Sequence, residues 1–172
     1  MNNLYCIWIK TGEEDKYIEE MQPRLNANKY GFGGLFYFPK KKMRLKKGKE
    51  FIEPIFPGYV FLETQETDNV LLAELKNGSG FIKILPQTGK AQALSVQDRA
   101  IIETLVKFGS IIPIIKASFD VNDRIVLLDG PFKDIPGKIV AVNRRNKRVN
   151  IELEIMNGVR MVGLTYEEVK KV

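Results

Sequence analysis

The sequence has no histidine and only one cysteine in 172 residues. Without histidine there can be no Ser-His-Asp or Cys-His nucleophile pair and no His-ligated metal site. A single thiol, Cys6, can form neither an internal disulfide nor a thiolate zinc site. It lies within an apolar run and is expected to be a buried, inert thiol that fits a reducing, cytoplasmic setting. No apolar run approaches the roughly 20 residues that span a bilayer. Met1-Asn2-Asn3-Leu4 shows no basic region followed by an apolar run, so no signal peptide is expected. Gly31-Phe32-Gly33-Gly34 lacks the spacing of a dinucleotide fingerprint and reads as a turn, and no Walker pattern occurs. A carboxylate- or lysine-based enzyme is all that these absences leave open. The expectation is no enzyme, no cofactor, no metal and no membrane partner.

What the sequence does contain is a globular composition, 44% hydrophobic and 28% charged, with a net charge of +6. The excess is local. Residues 40 to 49, Lys-Lys-Lys-Met-Arg-Leu-Lys-Lys-Gly-Lys, hold seven basic residues and no acidic one. The rest of the chain carries 20 basic and 21 acidic residues. Positive charge gathered in one segment points to an anionic partner at one place.

Along the chain, Leu4 to Ile9 reads as a buried strand. From Glu13 the period changes, and Tyr17, Ile18, Met21 and Leu25 share one helical face, with acidic residues in the first turn. Pro23 predicts a kink or an end to this helix. Leu35 to Phe38 and Ile55 to Leu62 read as strands flanking the basic segment, which is expected to be an exposed arm of a long hairpin. Asp68 can cap a short helix carrying Val70, Leu71, Leu72 and Leu75. Phe81 to Leu85 is a strand stopped by Pro86, and Ser95 with Asp98 signals a second helix carrying Ile101, Ile102, Leu105, Val106 and Phe108. The order β-α-β-β-α-β-α is that of a ferredoxin-like domain over residues 1–109.

Residues 110–118 break the pattern and read as a linker, apolar enough for part of it to pack on a domain. From Phe119 to the end, residues 119–172, the sequence is pure β. Strands are predicted at Arg124 to Leu128, Lys138 to Val142, Val149 to Ile155 and Arg160 to Leu164. The third alternates strictly, with Val149, Ile151, Leu153 and Ile155 on one face. Asn157-Gly158 signals a hairpin. Short strands of this kind suggest a small barrel, and the whole is an α+β chain of two domains.

Two motifs carry a family resemblance. Asp129-Gly130-Pro131-Phe132-Lys133-Asp134-Ile135-Pro136-Gly137-Lys138-Ile139 resembles a KOW motif, with Gly130, Phe132 and Gly137 as its marks. Phe56-Pro57-Gly58-Tyr59-Val60-Phe61 is similar to the signature of the N-terminal (NGN) domain of NusG proteins. The tail Leu164-Thr165-Tyr166-Glu167-Glu168-Val169 matches the family's ending. The resemblance covers nearly the whole chain. It implies a ferredoxin-like NGN domain followed by a small KOW β-barrel. It further implies a monomeric transcription elongation or antitermination factor, docked on the clamp helices of the largest RNA polymerase subunit and acting against pausing or termination. In housekeeping members, loop phenylalanines of the barrel meet Rho or ribosomal protein S10. Ile135 and Met156 stand at the matching positions here, which puts those contacts in doubt. With two heavily charged segments, the chain resembles the LoaP type of specialised antiterminator, which engages an RNA hairpin. Some paralogs refold the second domain as helices, but the alternation from Val149 to Ile155 favours a constitutive barrel.

Three groups of residues are candidates for binding, each with a plainer reading beside it. Trp8, Phe56, Tyr59 and Phe61 are either core or an outward aromatic face that docks on polymerase. Lys40, Lys41, Lys42, Arg44, Lys46, Lys47 and Lys49 form either a solvated loop or a surface for DNA or RNA phosphates, the non-template DNA strand among them. Arg144, Arg145, Lys147 and Arg148 form either a soluble hairpin tip or an RNA contact. The alternative to a polymerase-bound factor is a free-standing KOW protein of RNA binding or ribosome assembly. The Phe-Pro-Gly-Tyr signature argues against it, since an RNA-only module has no need of one.

Overall fold

The computed structural model describes residues 2–27, 33–65, 69–86 and 88–170. The turn expected at Gly31 and Phe32 and the cap expected at Asp68 lie outside these residues. In chain order the elements are β1 (Asn3–Ile9), α1 (Glu14–Asn26), β2 (Leu35–Tyr37), β3 (Lys40–Arg44), β4 (Glu50–Pro54), β5 (Tyr59–Thr64), α2 (Asn69–Leu75) and β6 (Phe81–Ile84). They continue with α3 (Val96–Lys107), β7 (Ile111–Ile112), β8 (Ile115–Phe119), β9 (Ile125–Leu127), β10 (Lys138–Asn143), β11 (Arg148–Ile155) and β12 (Gly158–Glu168). A 3-10 turn at Pro131–Lys133 lies between β9 and β10. By packing, the chain forms two compact units. One is Met1–Phe38 with Phe56–Arg99, the other Pro39–Ile55 with Ala100–Val172.

The first unit is a four-stranded sheet in the order β2-β5-β1-β6, antiparallel throughout. β5 is inserted between β1 and β2, and β1 between β5 and β6, so each strand-helix-strand passage straddles a third strand. This split pattern is the ferredoxin-like arrangement that the element order predicted. Side chains alternate between faces. Tyr5, Ile7, Ile9, Val60, Leu62, Phe36 and Ile84 meet Tyr17, Met21 and Leu25 of α1 and Leu71 and Leu75 of α2 in one buried cluster. The helical spacing of those α1 residues is what puts them on one side. α1 passes through Pro23 and ends at Asn26. The Ser95 cap is formed, its Oγ accepting the Asp98 N–H at 3.1 Å ahead of α3. Cys6 is fully buried.

The second unit departs most from the expected layout. The first half of the basic segment is a strand and only its second half, 45–49, is a turn: β3 pairs antiparallel with β4, and β7 adds in parallel at Lys40 and Lys41. Alternation explains how so charged a strand can pack. Lys41 and Met43 turn inward, while Lys40, Lys42 and Arg44 are half-buried. Residues 110–118 contain β7 and the start of β8 rather than irregular chain. A five-stranded sheet, β10-β11-β12-β8-β9, completes the unit, with β8 and β12 parallel. β11 shows the expected alternation, burying Val149, Ile151, Leu153 and Ile155. The two edge strands face each other across a groove of about 500 Å³, lined by Phe119, Asp123, Arg124, Ile125, Ile139, Val142 and Arg144. The sheet thus curls toward a barrel and stops short of closing between β9 and β10.

Two turns show how sterics set the register. The β11–β12 loop pairs Ile155 with Gly158, so its central residues are Met156 and Asn157, at φ 55° and 56°. The hairpin therefore turns one residue earlier than the Asn157-Gly158 signal suggests. Ile155 must stay inward, and that requirement outweighs the preference for glycine in the turn. At Gly137 a Cβ would lie 2.6 Å from Ile151 Cγ2 and 2.7 Å from Leu153 Cδ2, both buried, so no side chain fits where β10 begins.

Tyr17 gives a test of the first core. Its hydroxyl donates to the Leu75 carbonyl at 2.7 Å, and burial pushes the phenol well above its ordinary pKa. Tyr17→Phe leaves that carbonyl unpaired and is expected to cost about 1–2 kcal/mol at neutral pH. Above pH 10 the unfolded phenol ionises while the folded one stays protonated, so stability falls as pH rises there. The advantage of the parent over Tyr17→Phe should therefore hold below pH 10 and shrink above it, as read by urea unfolding across pH. A gap that widens above pH 10 would contradict the assignment.

Candidate nucleic-acid interface and aromatic docking face

The Phe56–Tyr59 segment is a β-turn. Tyr59 N–H donates to the Phe56 carbonyl at 3.2 Å, Pro57 fills the second position and Gly58 the third, at φ 88°. Proline pre-sets one dihedral and glycine supplies the positive one, which is why this pair suits a type II turn. The turn is locked to its surroundings. The Gly58 carbonyl accepts the Ile9 N–H at 2.7 Å. The Gly58 N–H donates to Glu14 Oε2 at 3.0 Å, and Glu14 Oε1 accepts the Gly12 N–H at 2.5 Å. Glu14 is itself buried. The sequence showed it only as an acidic residue suited to a helix start, and nothing in its spacing revealed the turn it holds.

This turn launches β5 opposite β1, with Tyr59 paired to Trp8 and Phe61 to Cys6. Val60 and Leu62 enter the helix-facing core, so Tyr59 and Phe61 lie on the opposite face, as expected. That face is only partly open. Phe56 and Phe61 are buried, edge to face at 6.2 Å, whereas Trp8 and Tyr59 are half-buried neighbours. The two readings therefore divide among the four: Trp8 and Tyr59 reach the surface, and Phe56 and Phe61 are core beneath it.

The basic residues likewise divide in two. Lys41 Nζ is buried, donates to the Gly163 carbonyl of β12, and lies 3.3 Å from Glu53. Burial lowers its pKa below the ordinary lysine value. The Arg44 N–H donates to Thr165 Oγ1 at 3.0 Å, and its guanidinium meets Glu167 and Glu50, each at 2.9 Å. Hydrogen bonds that its guanidinium donates to Glu50 and Glu167 hold the Arg44 pKa above its usual value. Lys42 lies 3.6 Å from Glu50, and Lys40 is half-buried. The expected exposed arm is thus anchored at Lys41 and Arg44, because β3 lies along β12. Its tip remains open: Lys46, Lys47 and Lys49 are exposed and form no ion pair among the described residues.

At the β10–β11 turn the pattern repeats. Arg144 pairs with Asp123 at 2.7 Å and Glu168 at 3.3 Å, and stacks 3.7 Å over the Phe119 ring. Lys147 pairs with Glu168 at 2.7 Å, a hydrogen bond that lowers the Glu168 pKa. Arg148 donates to the Arg44 carbonyl at 3.0 Å and faces the Phe51 ring at 6.0 Å. Arg145 is exposed and forms no ion pair among the described residues. Two clusters about a hundred residues apart in sequence are therefore joined at their bases, which spacing alone could not reveal.

The motif residues of the C-terminal part have structural work. Gly130 has φ 80°, and a Cβ there would lie 2.7 Å from Ile115 Cγ2. Phe132 is buried, as are Ile135 and Met156. Among the described residues no group of three or more acidic or cysteine side chains could hold a metal, and no helix is long and apolar enough to cross a membrane.

A split-βαβ sheet and a β-rich C-terminal part define an α+β chain. Residues 2–105 match the family model described as "Transcription termination factor nusG". The chain is 25% identical, over 98% of its length and 97% of the relative's, to the "Transcription termination/antitermination protein NusG" of Neisseria meningitidis serogroup B (strain ATCC BAA-335 / MC58). A protein of the same description from Liberibacter asiaticus is 33% identical over 60 residues, 35% of this chain and 86% of that protein. In fold, the chain resembles the structure described as "Domain interaction in Thermotoga maritima NusG", with TM-score 0.61, 19% identity and coverage of 96% of this chain and 94% of that one. The chain belongs to the NusG family of transcription termination and antitermination factors. It is on that ground a transcription factor and not an enzyme.

Glu14 gives the test of the turn. Glu14→Ala strips the buried Gly58 N–H of its acceptor and is expected to destabilise the fold by about 1–3 kcal/mol. In amide hydrogen exchange, Gly58 and Gly12 should lose protection together. Unchanged protection at Gly58 would show that Glu14 does not hold the turn.

Proposed function

We propose that this chain is an elongation or antitermination factor that binds RNA polymerase at the clamp helices of the largest subunit and acts against pausing or termination. The observation that carries the reading is the locked Pro57-Gly58 turn, which sets Tyr59 beside Trp8 on the sheet face opposite α1 and α2. Half-buried aromatic side chains on a rigid strand pair make good anchors, because they bring large area at little entropic cost. Phe56 and Phe61 support that face from below.

In this reading residues 1–109 are the polymerase-binding NGN domain, 110–118 the connection and 119–172 a KOW domain, with Gly130, Phe132 and Gly137 holding its fold. The exposed lysines at 46, 47 and 49 and Arg145 supply contacts to an RNA hairpin and to the non-template DNA strand. With Ile135 and Met156 buried, the loops offer no aromatic contact there for Rho or S10, which supports a specialised antiterminator of the LoaP type. The factor acts as a cytoplasmic monomer.

The test is a pull-down of the full chain with bacterial core RNA polymerase. Trp8→Ala and Tyr59→Ala are expected to weaken binding by about tenfold or more while leaving the fold intact. Phe61→Ala, by contrast, opens a cavity in a closed site and should destabilise the chain by about 3–5 kcal/mol. Polymerase binding that neither surface variant alters would overturn the docking face, and no binding at all would overturn the elongation-factor reading.

A further inference from the structure

The five-stranded sheet of the second unit leaves part of its interior without a cover. Directly opposite residues of paired strands point to the same face. Ile139 therefore points inward with its partner Ile151, and Val142 with Val149. Ile151 and Val149 are buried, yet Ile139 and Val142 are 37% and 39% exposed. Two side chains that should fill a barrel interior are thus open to solvent, because β9 and β10 stand at opposite ends of the sheet and do not pair. Between them lies the groove of about 500 Å³, with Phe119, Ile125, Ile139 and Val142 as its apolar walls. Sheet edges are commonly guarded by charge or proline. The run Ile139-Val140-Ala141-Val142 of β10 carries neither.

β9 presents backbone groups to this groove. The Leu128 N–H donates to the Lys116 carbonyl at 2.8 Å, and the Asp120 N–H donates to the Arg124 carbonyl at 2.9 Å. Residues 124 and 128 therefore turn their backbone toward β8. By the alternation of an antiparallel pair, Ile125 and Leu127 turn theirs to the open edge. β10 offers less backbone, because a bulge between Ile139 and Ala141 interrupts its register. It supplies apolar side chains instead. The charged residues of the groove differ in their partners. Arg144 is engaged by Asp123 and Glu168, whereas Arg124 is exposed and its guanidinium forms no ion pair among the described residues.

We propose that this groove takes an extended peptide segment of a partner protein, alternating in apolar and acidic residues, which adds as a strand to β9. Its apolar side chains cover Ile139 and Val142, and an acidic one meets Arg124. In strand addition the main chain supplies affinity and pockets for alternate side chains supply specificity. Both parts are present here, the free backbone at Ile125 and Leu127 and the apolar wall of β10. Alternation is required of the ligand because successive residues of an added strand face in and out in turn. Charge selects an acid for the outward positions, since Arg124 is the groove cation that no carboxylate holds. The groove shares no residue with the Trp8 and Tyr59 face, so either surface can fail its test without the other.

The experiment is an NMR titration of the isotope-labelled full chain with a synthetic peptide of alternating valine and glutamate, about six residues long. Two controls are a valine and lysine peptide of the same length and a copy of the first with every backbone nitrogen methylated. The first peptide should shift the amide signals of Ile125, Leu127 and Val142. At saturation it should slow solvent exchange of the Ile125 and Leu127 N–H groups by about tenfold. The lysine and methylated peptides should each bind about tenfold more weakly or not at all. Arg124→Ala should weaken binding of the glutamate peptide by about threefold with an unchanged melting temperature. Ile139→Ser, read beside its melting temperature, should weaken it by about tenfold. No shift at these residues with the glutamate peptide, equal binding of either control, or unchanged binding by Arg124→Ala would each overturn the inference. So would sedimentation that finds the parent chain alone to be a dimer and Ile139→Ser a monomer, because a second copy would then fill the groove.

Discussion

A buried ammonium, that of Lys41, ties the hairpin of β3 and β4 to β12, and much of the second unit depends on that tie. A lysine in an apolar interior is costly unless its charge is met. Here the Gly163 carbonyl and Glu53 meet it. Two further bonds run along the same seam, from Arg44 to Thr165 and from Arg148 to Arg44. Together they turn a lysine-rich segment, which would repel itself as a free loop, into a strand laid along a sheet. The charges that find partners become structure, and those at the tip stay available to a ligand.

The first unit obeys the same rule with different chemistry. Its candidate surface is aromatic, and it is placed by a carboxylate that accepts backbone N–H groups. Glu14 fastens the Pro57-Gly58 turn to the start of α1, so the position of Tyr59 is set by the helix as well as by the sheet. In both units a buried charged side chain bonded to backbone holds a candidate binding segment. Such bonds are directional and leave few alternative arrangements, which is what a recognition surface requires.

Much of this was legible in the sequence, for reasons that can be named. The α1 stripe of Tyr17, Met21 and Leu25 and the alternation of β11 are repeats imposed by burial, and burial leaves a period. Ser95 is a local capping signal that needs no tertiary information, whereas the segment Ile55 to Leu62, read as one strand, is a turn at Pro57-Gly58 followed by β5 from Tyr59. What could not be read depended on partners distant in sequence. A run of lysines carries no period that announces a strand, because β3 is held by β4, β7 and β12 and not by propensity. The division of the aromatic group was not legible for a related reason. Alternation shows that Tyr59 and Phe61 share a face, but it does not show that the face closes over Phe61 and Phe56. The meeting of residues 44 and 148 is a product of topology alone.

The family places the chain in transcription, and its surfaces supply an account of how it acts there. The most direct test is single-round transcription in vitro by bacterial RNA polymerase, on a template with one strong pause and one intrinsic terminator, with and without saturating amounts of the full chain. The account predicts shorter pause lifetimes or more read-through when the chain is present. Pausing and termination that do not change at saturation would contradict it.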